Sequence, residues 1–434
     1  MKKKLLVVTF LLISSLFIAC SSDESKSDNP KPVVTVPSAI TVTNLSSEFI
    51  VKGESLEITG TNFTNKDYPT KIFINETEVT AKELTDTKFL LSDLKGIKAG
   101  TNSLTIQIDK IKSSPISFFV IEKGWNKLTT LGDLDINTSS IIDNNYNVYS
   151  FYGENYPIKL QTSSSGYSKA SIPSLAIGGA FKMFDDKKGV STNTTQIIYS
   201  NDGFKTNKVI NVGSNFNMII NGLRIGYLDE NTTIINNQIA AQVYLADNGT
   251  TVIKNESPSW AKIDRPGGGI TTRASISGFG KSASNGKFYQ IGKIYDQKKY
   301  GSIIKNIVLE SETGYSNWTV LDSISNGNQD YSVYKFVDIN KIVMTNITKE
   351  TLEISTDMMK TWSIIKTNVS RAFLRTSTQW YIQSGDKILV TKDSGINWEL
   401  ELELPSGSVV NDISFSKNKI ILSGKKGLHY LKVE

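Results

Sequence analysis

The chain has 434 residues, of which 39% are hydrophobic and 21% charged, and its 18 Phe, 17 Tyr and 6 Trp supply enough apolar material for two or three folded domains. A single cysteine and a single histidine exclude a disulfide framework, a paired-thiol redox site and a histidine-rich metal centre. Formal charge is +6, and removal of Lys2, Lys3 and Lys4 with the leading segment described next takes it to +3, spread too thinly for a nucleic-acid binder.

Residues 1–4 form a basic head, and residues 5–18 form an apolar run shorter than the roughly 20 residues that a membrane-spanning helix needs, so the run reads as the core of a signal peptide. It ends Leu16-Phe17-Ile18-Ala19-Cys20, with the chain's one cysteine directly behind a small residue. This resembles a bacterial lipobox, with Phe17 where Leu is commoner. The resemblance implies that residues 1–19 are removed and that Cys20 carries lipid, which makes the membrane the first expected partner. Several acyl chains hold a protein where one gives only marginal binding. Residues 20–32 are polar, contain Pro30 and Pro32 and show no apolar period, as a flexible tether would. The pair Asp23-Glu24 close behind Cys20 resembles the export signal of surface lipoproteins in Bacteroidetes-type bacteria. That implies an outer-membrane lipoprotein exposed at the cell surface, the alternative being one that faces the periplasm.

From residue 33 the pattern is strand after strand. Residues 55–59, 71–75, 103–108 and 117–120 are alternating or apolar runs, separated by turn signals at Gly53, Gly60, Asn75 and 99–102. Short strands at this spacing predict an antiparallel sandwich over 33–121. The stretch Gly53-Glu54-Ser55-Leu56-Glu57-Ile58-Thr59-Gly60-Thr61-Asn62-Phe63 resembles the opening of an IPT/TIG domain, an immunoglobulin-like fold. The resemblance implies a tight bend at Gly60 and a sandwich end plugged by Phe63. It also implies a hairpin over 71–79, with Glu76-Thr77 in place of the usual glycine. Such domains serve as spacers or as binding modules, and a spacer is expected here.

Residues 122–434 hold a diverged repeat. Its clearest copies are Thr391-Lys392-Asp393-Ser394-Gly395-Ile396-Asn397-Trp398 and Ser355-Thr356-Asp357-Met358-Met359-Lys360-Thr361-Trp362. Ser200 and Asp202 survive in a third copy, Trp318 in a fourth and Asp247 in a fifth, with a faint sixth at 162–169. All resemble the Asp-box of sialidase-like β-propellers. Aligned on the aspartate, the copies fall at 164, 202, 247, 313, 357 and 393, spaced 38, 45, 66, 44 and 36 residues apart, all but the longest near the length of a four-stranded blade. The longer interval reads as a loop insertion around Pro266 and Gly267–Gly269. Three strands are expected after the last box, at 409–415, 419–422 and 428–433, with the fourth supplied by residues 124–128. Closure by both ends removes exposed sheet edges and predicts seven blades, with six as the alternative. The expected class is therefore all-β, an immunoglobulin-like sandwich followed by a propeller. Box chemistry is structural: the aspartate accepts turn N–H groups, glycine takes a positive φ, and the tryptophan packs. Trp318, Trp362 and Trp398 are thus expected in the core.

No catalytic set, cofactor site or metal site is legible. Sialidases, by resemblance, need three arginines, a Tyr–Glu pair and an aspartate. The repeat region has only Arg224, Arg265, Arg273, Arg371 and Arg375, and none before the first box. Asp185-Asp186 reads as a solvated turn, and His429 reads as a strand residue between Leu428 and Tyr430. For ligand contact the candidates are Tyr152 and Tyr156, flanking Gly153-Glu154-Asn155 in an expected loop, and Trp260; Tyr149 and Trp380 are expected to pack. The expected function is a non-enzymatic, lipid-anchored envelope protein whose propeller holds a glycan or a protein partner, with the sandwich as stalk. Alternatives are a sialidase-like glycoside hydrolase with a diverged site and an assembly factor for membrane proteins, since photosystem-assembly propellers also resemble these repeats.

Overall fold

The computed structural model describes residues 38–434 apart from 93–96, 142–145, 153–155, 173–180, 184–186, 193–195, 203, 212–223, 228–232, 237–241, 247–250, 256–262, 265–269, 272–273, 296–302, 314–316, 325–331 and 417. Every element among them is a β-strand. The strands from Thr41–Leu45 to Ile116–Ile121 make two facing sheets, one of three strands and one of six. Gly100–Ile108 shows how they face: Asn102, Leu104, Ile106 and Ile108 are buried in alternation with half-exposed neighbours, as a strand with one face on a core requires. That core holds Leu56, Ile58, Phe63, Ile72, Phe89 and Phe118.

Two local expectations change. Gly60 lies inside the strand Leu56–Thr61, opposite Val42, not at a tight bend. A Cβ on Gly60 would collide with the Phe63 ring and the Thr41 carbonyl oxygen, so glycine is needed for close approach. Phe63 is itself fully buried. In the hairpin Thr70–Ile74/Thr77–Val79 the left-handed position falls to Asn75, φ 55°, a residue type that tolerates it when glycine is absent.

The remaining strands form a β-propeller. Six consecutive antiparallel four-stranded sheets span 136–171, 181–211, 224–255, 274–324, 332–367 and 371–403. A closing sheet takes three strands from Val410–Ser416, Lys419–Gly424 and His429–Val433 and its fourth, Gly124–Lys127, from more than 300 residues earlier. Gly124 pairs with Val433 and Lys127 with Tyr430. First strands face one another around the ring, Ile136–Ile141 against Val410–Ser416 and Ala274–Lys281 against Ser332–Asp338. A small ladder, Ile263–Asp264 with Ile270–Thr271, occupies the long interval between repeats.

Candidate functional site

Five of the six aligned repeat positions, 164, 202, 313, 357 and 393, fall between the third and fourth strands of their ring sheets, and the sixth, 247, lies outside the described residues. Antiparallel connectivity therefore brings the five to one face, here called the box face. In three copies the bonds that hold the turn are described. Ser200 Oγ donates to Asp202 Oδ1 at 2.8 Å and accepts Phe204 N at 2.8 Å, while Thr206 N donates to Asp202 Oδ1 at 2.9 Å and Thr206 Oγ1 to Oδ2 at 2.6 Å. Ser355, Asp357, Met359 and Thr361 repeat those four bonds at 2.8, 2.8, 2.9 and 2.6 Å. Thr391 and Asn397 take the outer roles around Asp393, with bonds of 2.7 to 3.0 Å. The Thr206 hydroxyl, the Thr361 hydroxyl and the Asn397 backbone N–H are the leading causes that hold these aspartates at about 2. Each carboxylate is occupied by its own turn and is a poor candidate for acid–base work on a ligand.

The glycine position of the box varies for a packing reason. Phe204 and Met359 occupy it with φ of 62° and 73°, and both side chains are buried. Gly395, φ 92°, leaves little room for one, because a Cβ would stand 3.0 Å from Ile365 Cδ1 and 3.1 Å from the Trp380 ring. Trp380 thus fills from the neighbouring strand the volume that Met359 fills from its own turn. Trp362 and Trp398 pack against the inter-sheet clusters but stay half-buried, as does Trp318. Each stands immediately before an outermost strand, so one edge of the ring meets solvent.

Of the expected ligand residues, Tyr152 ends one strand and Tyr156 begins the next, paired directly across the hairpin. They are strand residues, at the face opposite the boxes. Trp260, Asp247, Asp185, Asp186, Gly267–Gly269, Arg265 and Arg273 lie outside the described residues. Tyr149 and Trp380 are buried, as their strand positions led one to expect. On the same face Gln383 ties two connections together: Nε2 donates to Gly385 O and Ser408 O, at 3.1 and 2.6 Å, and Oε1 accepts Val410 N.

Three clusters were not legible beforehand. Tyr289 donates to Glu310 Oε2 at 2.6 Å and Lys287 Nζ to Oε1 at 2.9 Å, while Asn285 Nδ2 reaches the tyrosine oxygen. A Tyr–Glu pair is part of what a sialidase requires, but this one is closed. Tyr289 is fully buried and its pKa is raised, chiefly by desolvation, which disfavours the phenolate. Among the described residues no arginine is bonded to it. Arg375 is committed elsewhere, gripping Glu434 with two bonds of 2.7 Å. Arg371 begins the strand that ends just before Arg375, so about four residues of strand, roughly 13 Å, separate them. The third cluster joins the sandwich to the ring on the box face. Phe49 stacks on Phe119 at 5.3 Å and meets Tyr146 and Tyr167 edge-on or tilted, and Lys419 Nζ lies 3.9 Å from the Tyr146 centroid.

No protein-family model and no curated protein matches the chain. Among solved structures it is similar to YCF48 from Cyanidioschyzon merolae, at 13% identity and TM-score 0.48 over 72% of this chain and 98% of that one. It is also similar to a GH74 enzyme of Niastella koreensis, at 15% identity and TM-score 0.43 over 76% of this chain and 47% of that one. An auxiliary nutrient binding protein from Bacteroides thetaiotaomicron aligns at 11% identity and TM-score 0.37, over 92% of this chain and 98% of that one.

Proposed function

We propose that the protein is a lipid-anchored envelope lipoprotein, held by Cys20 at the outer membrane and exposed at the cell surface. Its seven-bladed Asp-box propeller binds a glycan or protein partner without catalysing a reaction. In this reading residues 20–32 are the tether, 33–121 an IPT/TIG-type sandwich and 122–434 the propeller. The observation that carries it is the contrast between the two faces of the ring. On the box face the aspartates are saturated by their own turns, the Tyr–Glu pair is buried, and the sandwich covers the turns around Tyr146 and Ser164. The opposite face carries the second-to-third strand connections, including the hairpin end between Tyr152 and Tyr156. It is not covered by those sandwich contacts, and it is the face on which a partner would sit.

The test is native affinity electrophoresis of residues 21–434 against soluble polysaccharides, with reducing-sugar release followed in the same incubations. Retardation without release is expected, and Tyr152→Ala with Tyr156→Ala should abolish it. Release would overturn the non-enzymatic reading, and no retardation on any polysaccharide would leave a protein partner, to be sought by cross-linking on intact cells. In the producing cell Cys20→Ala should lose membrane association and accumulate as uncleaved precursor. Normal lipid attachment of that variant would end the lipoprotein claim.

A further inference from the structure

The strands that join sandwich and ring are buried on both faces, and alternation divides their side chains between two cores. In Phe49–Val51, the edge strand of the six-stranded sheet, Ile50 enters the sandwich core while Phe49 and Val51 enter a second core. In Ile116–Ile121, its parallel partner, Phe118 and Val120 face the sandwich, and Phe119 and Ile121 face the second core. That second core belongs to the ring seam: it contains Leu431 and Val433 of the last strand, Ile421 beside it, and Val148, Ile158 and Leu160 of the first ring sheet.

Polar contacts follow the same line. Tyr146, held at φ 63°, reaches Glu54 through its hydroxyl at 3.4 Å and receives the Tyr167 hydroxyl on its carbonyl at 2.9 Å. Ser164 N donates to Glu48 Oε2 at 3.3 Å. A Cβ on Gly166 would stand 3.0 Å from the Phe119 ring. The seam itself is held by four paired residues on each side, and the chain's one cysteine, Cys20, leaves no disulfide to close it. Only Glu122 and Lys123 separate the last sandwich strand from the closing strand, and Glu122 is bound to Lys52 at 2.8 Å.

We propose that the sandwich is the clasp of the propeller: its Phe49–Val51 and Ile116–Ile121 strands hold Gly124–Lys127 in the closing sheet, so sandwich and seam open together. A spacer would leave the ring closed whatever its own state. The inference needs neither the lipid nor the ligand, so its failure would leave the proposed function untouched.

The experiment is amide hydrogen exchange on residues 21–434, read at the seam peptides 124–127 and 429–433 and at the distant peptides 341–346 and 380–391. Phe49→Ala should accelerate exchange at the seam by about tenfold or more while the distant strands keep their protection. If that variant fails to fold, Phe49→Leu replaces it with the same expected pattern. Phe89→Ala, which cuts the sandwich core without touching the ring, should also expose the seam. Seam protection unchanged in the Phe49 variant, or a Phe89 variant that loosens sandwich amides alone, would overturn the clasp.

Discussion

Trp380→Ala should lower folding stability by about 3–5 kcal/mol, among the largest losses a single truncation can give. Trp380 is fully buried at the start of Trp380–Ser384, between Leu374 and Thr391 on its two flanking strands. It packs in one cluster with Val343 and Leu352 of the fifth ring sheet and with Val369, Ala372 and Ile382. Truncation would leave a cavity between two sheets, and Gly395 has no side chain with which to fill it. Trp380→Phe should cost far less than the alanine, because the indole N–H is buried without a hydrogen-bond partner among the described residues and the phenyl ring removes it. Urea unfolding midpoints of the two variants check this. Equal losses would mean that the nitrogen is satisfied and that volume is not what the position supplies.

The repeat was legible because its turn is made of local bonds. Ser200 to Asp202 and Thr206 to Asp202 span two and four residues, so the pattern is present in a few consecutive letters whatever the rest of the chain does. Strands such as Gln196–Ser200 and Lys387–Thr391 were equally plain, since inter-sheet burial gives short β-branched runs. The closing strand is implied by the three strands that follow the last repeat, which leave a four-stranded sheet one strand short. The clusters that join distant letters could not be found this way: Tyr289 with Glu310 depends on cross-strand register, and Arg375 with Glu434 on two different sheets meeting. A signal for the joint between sandwich and ring did exist. Phe49–Val51 and Ile116–Ile121 are apolar without full alternation, which in a two-sheet sandwich marks strands buried on both faces. The box tryptophans Trp362 and Trp398 pack against the core clusters and stay half-buried, because each stands just before the outermost strand of its sheet.

Stability should fall as the medium is acidified from pH 6.5 toward pH 5, by up to about a factor of ten in the folding equilibrium per pH unit, and in that interval the main source is one residue. His429, the chain's only histidine, is fully buried at the start of His429–Val433, opposite Ser423, and its carbonyl accepts Leu128 N at 2.9 Å. Desolvation lowers its pKa from the ordinary 6.5 to about 3. The unfolded chain therefore binds a proton that the native chain refuses throughout that interval. The contribution is complete above 6.5 and is lost progressively as pH falls toward 3. The box aspartates act lower: held at about 2, they withdraw their support only as pH drops below 3.8. Glu310 and Glu434, whose carboxyls are also held below the ordinary 4.5, begin to act near that value, so the interval from 6.5 to 5 is the one that separates the histidine from the carboxylates. His429→Leu, which keeps an apolar side chain at the seam, should flatten the pH dependence of the urea midpoint across that interval while leaving the steeper loss below pH 4 in place. A slope that persists in the variant would show that the seam histidine is not what makes the fold sensitive to mild acid.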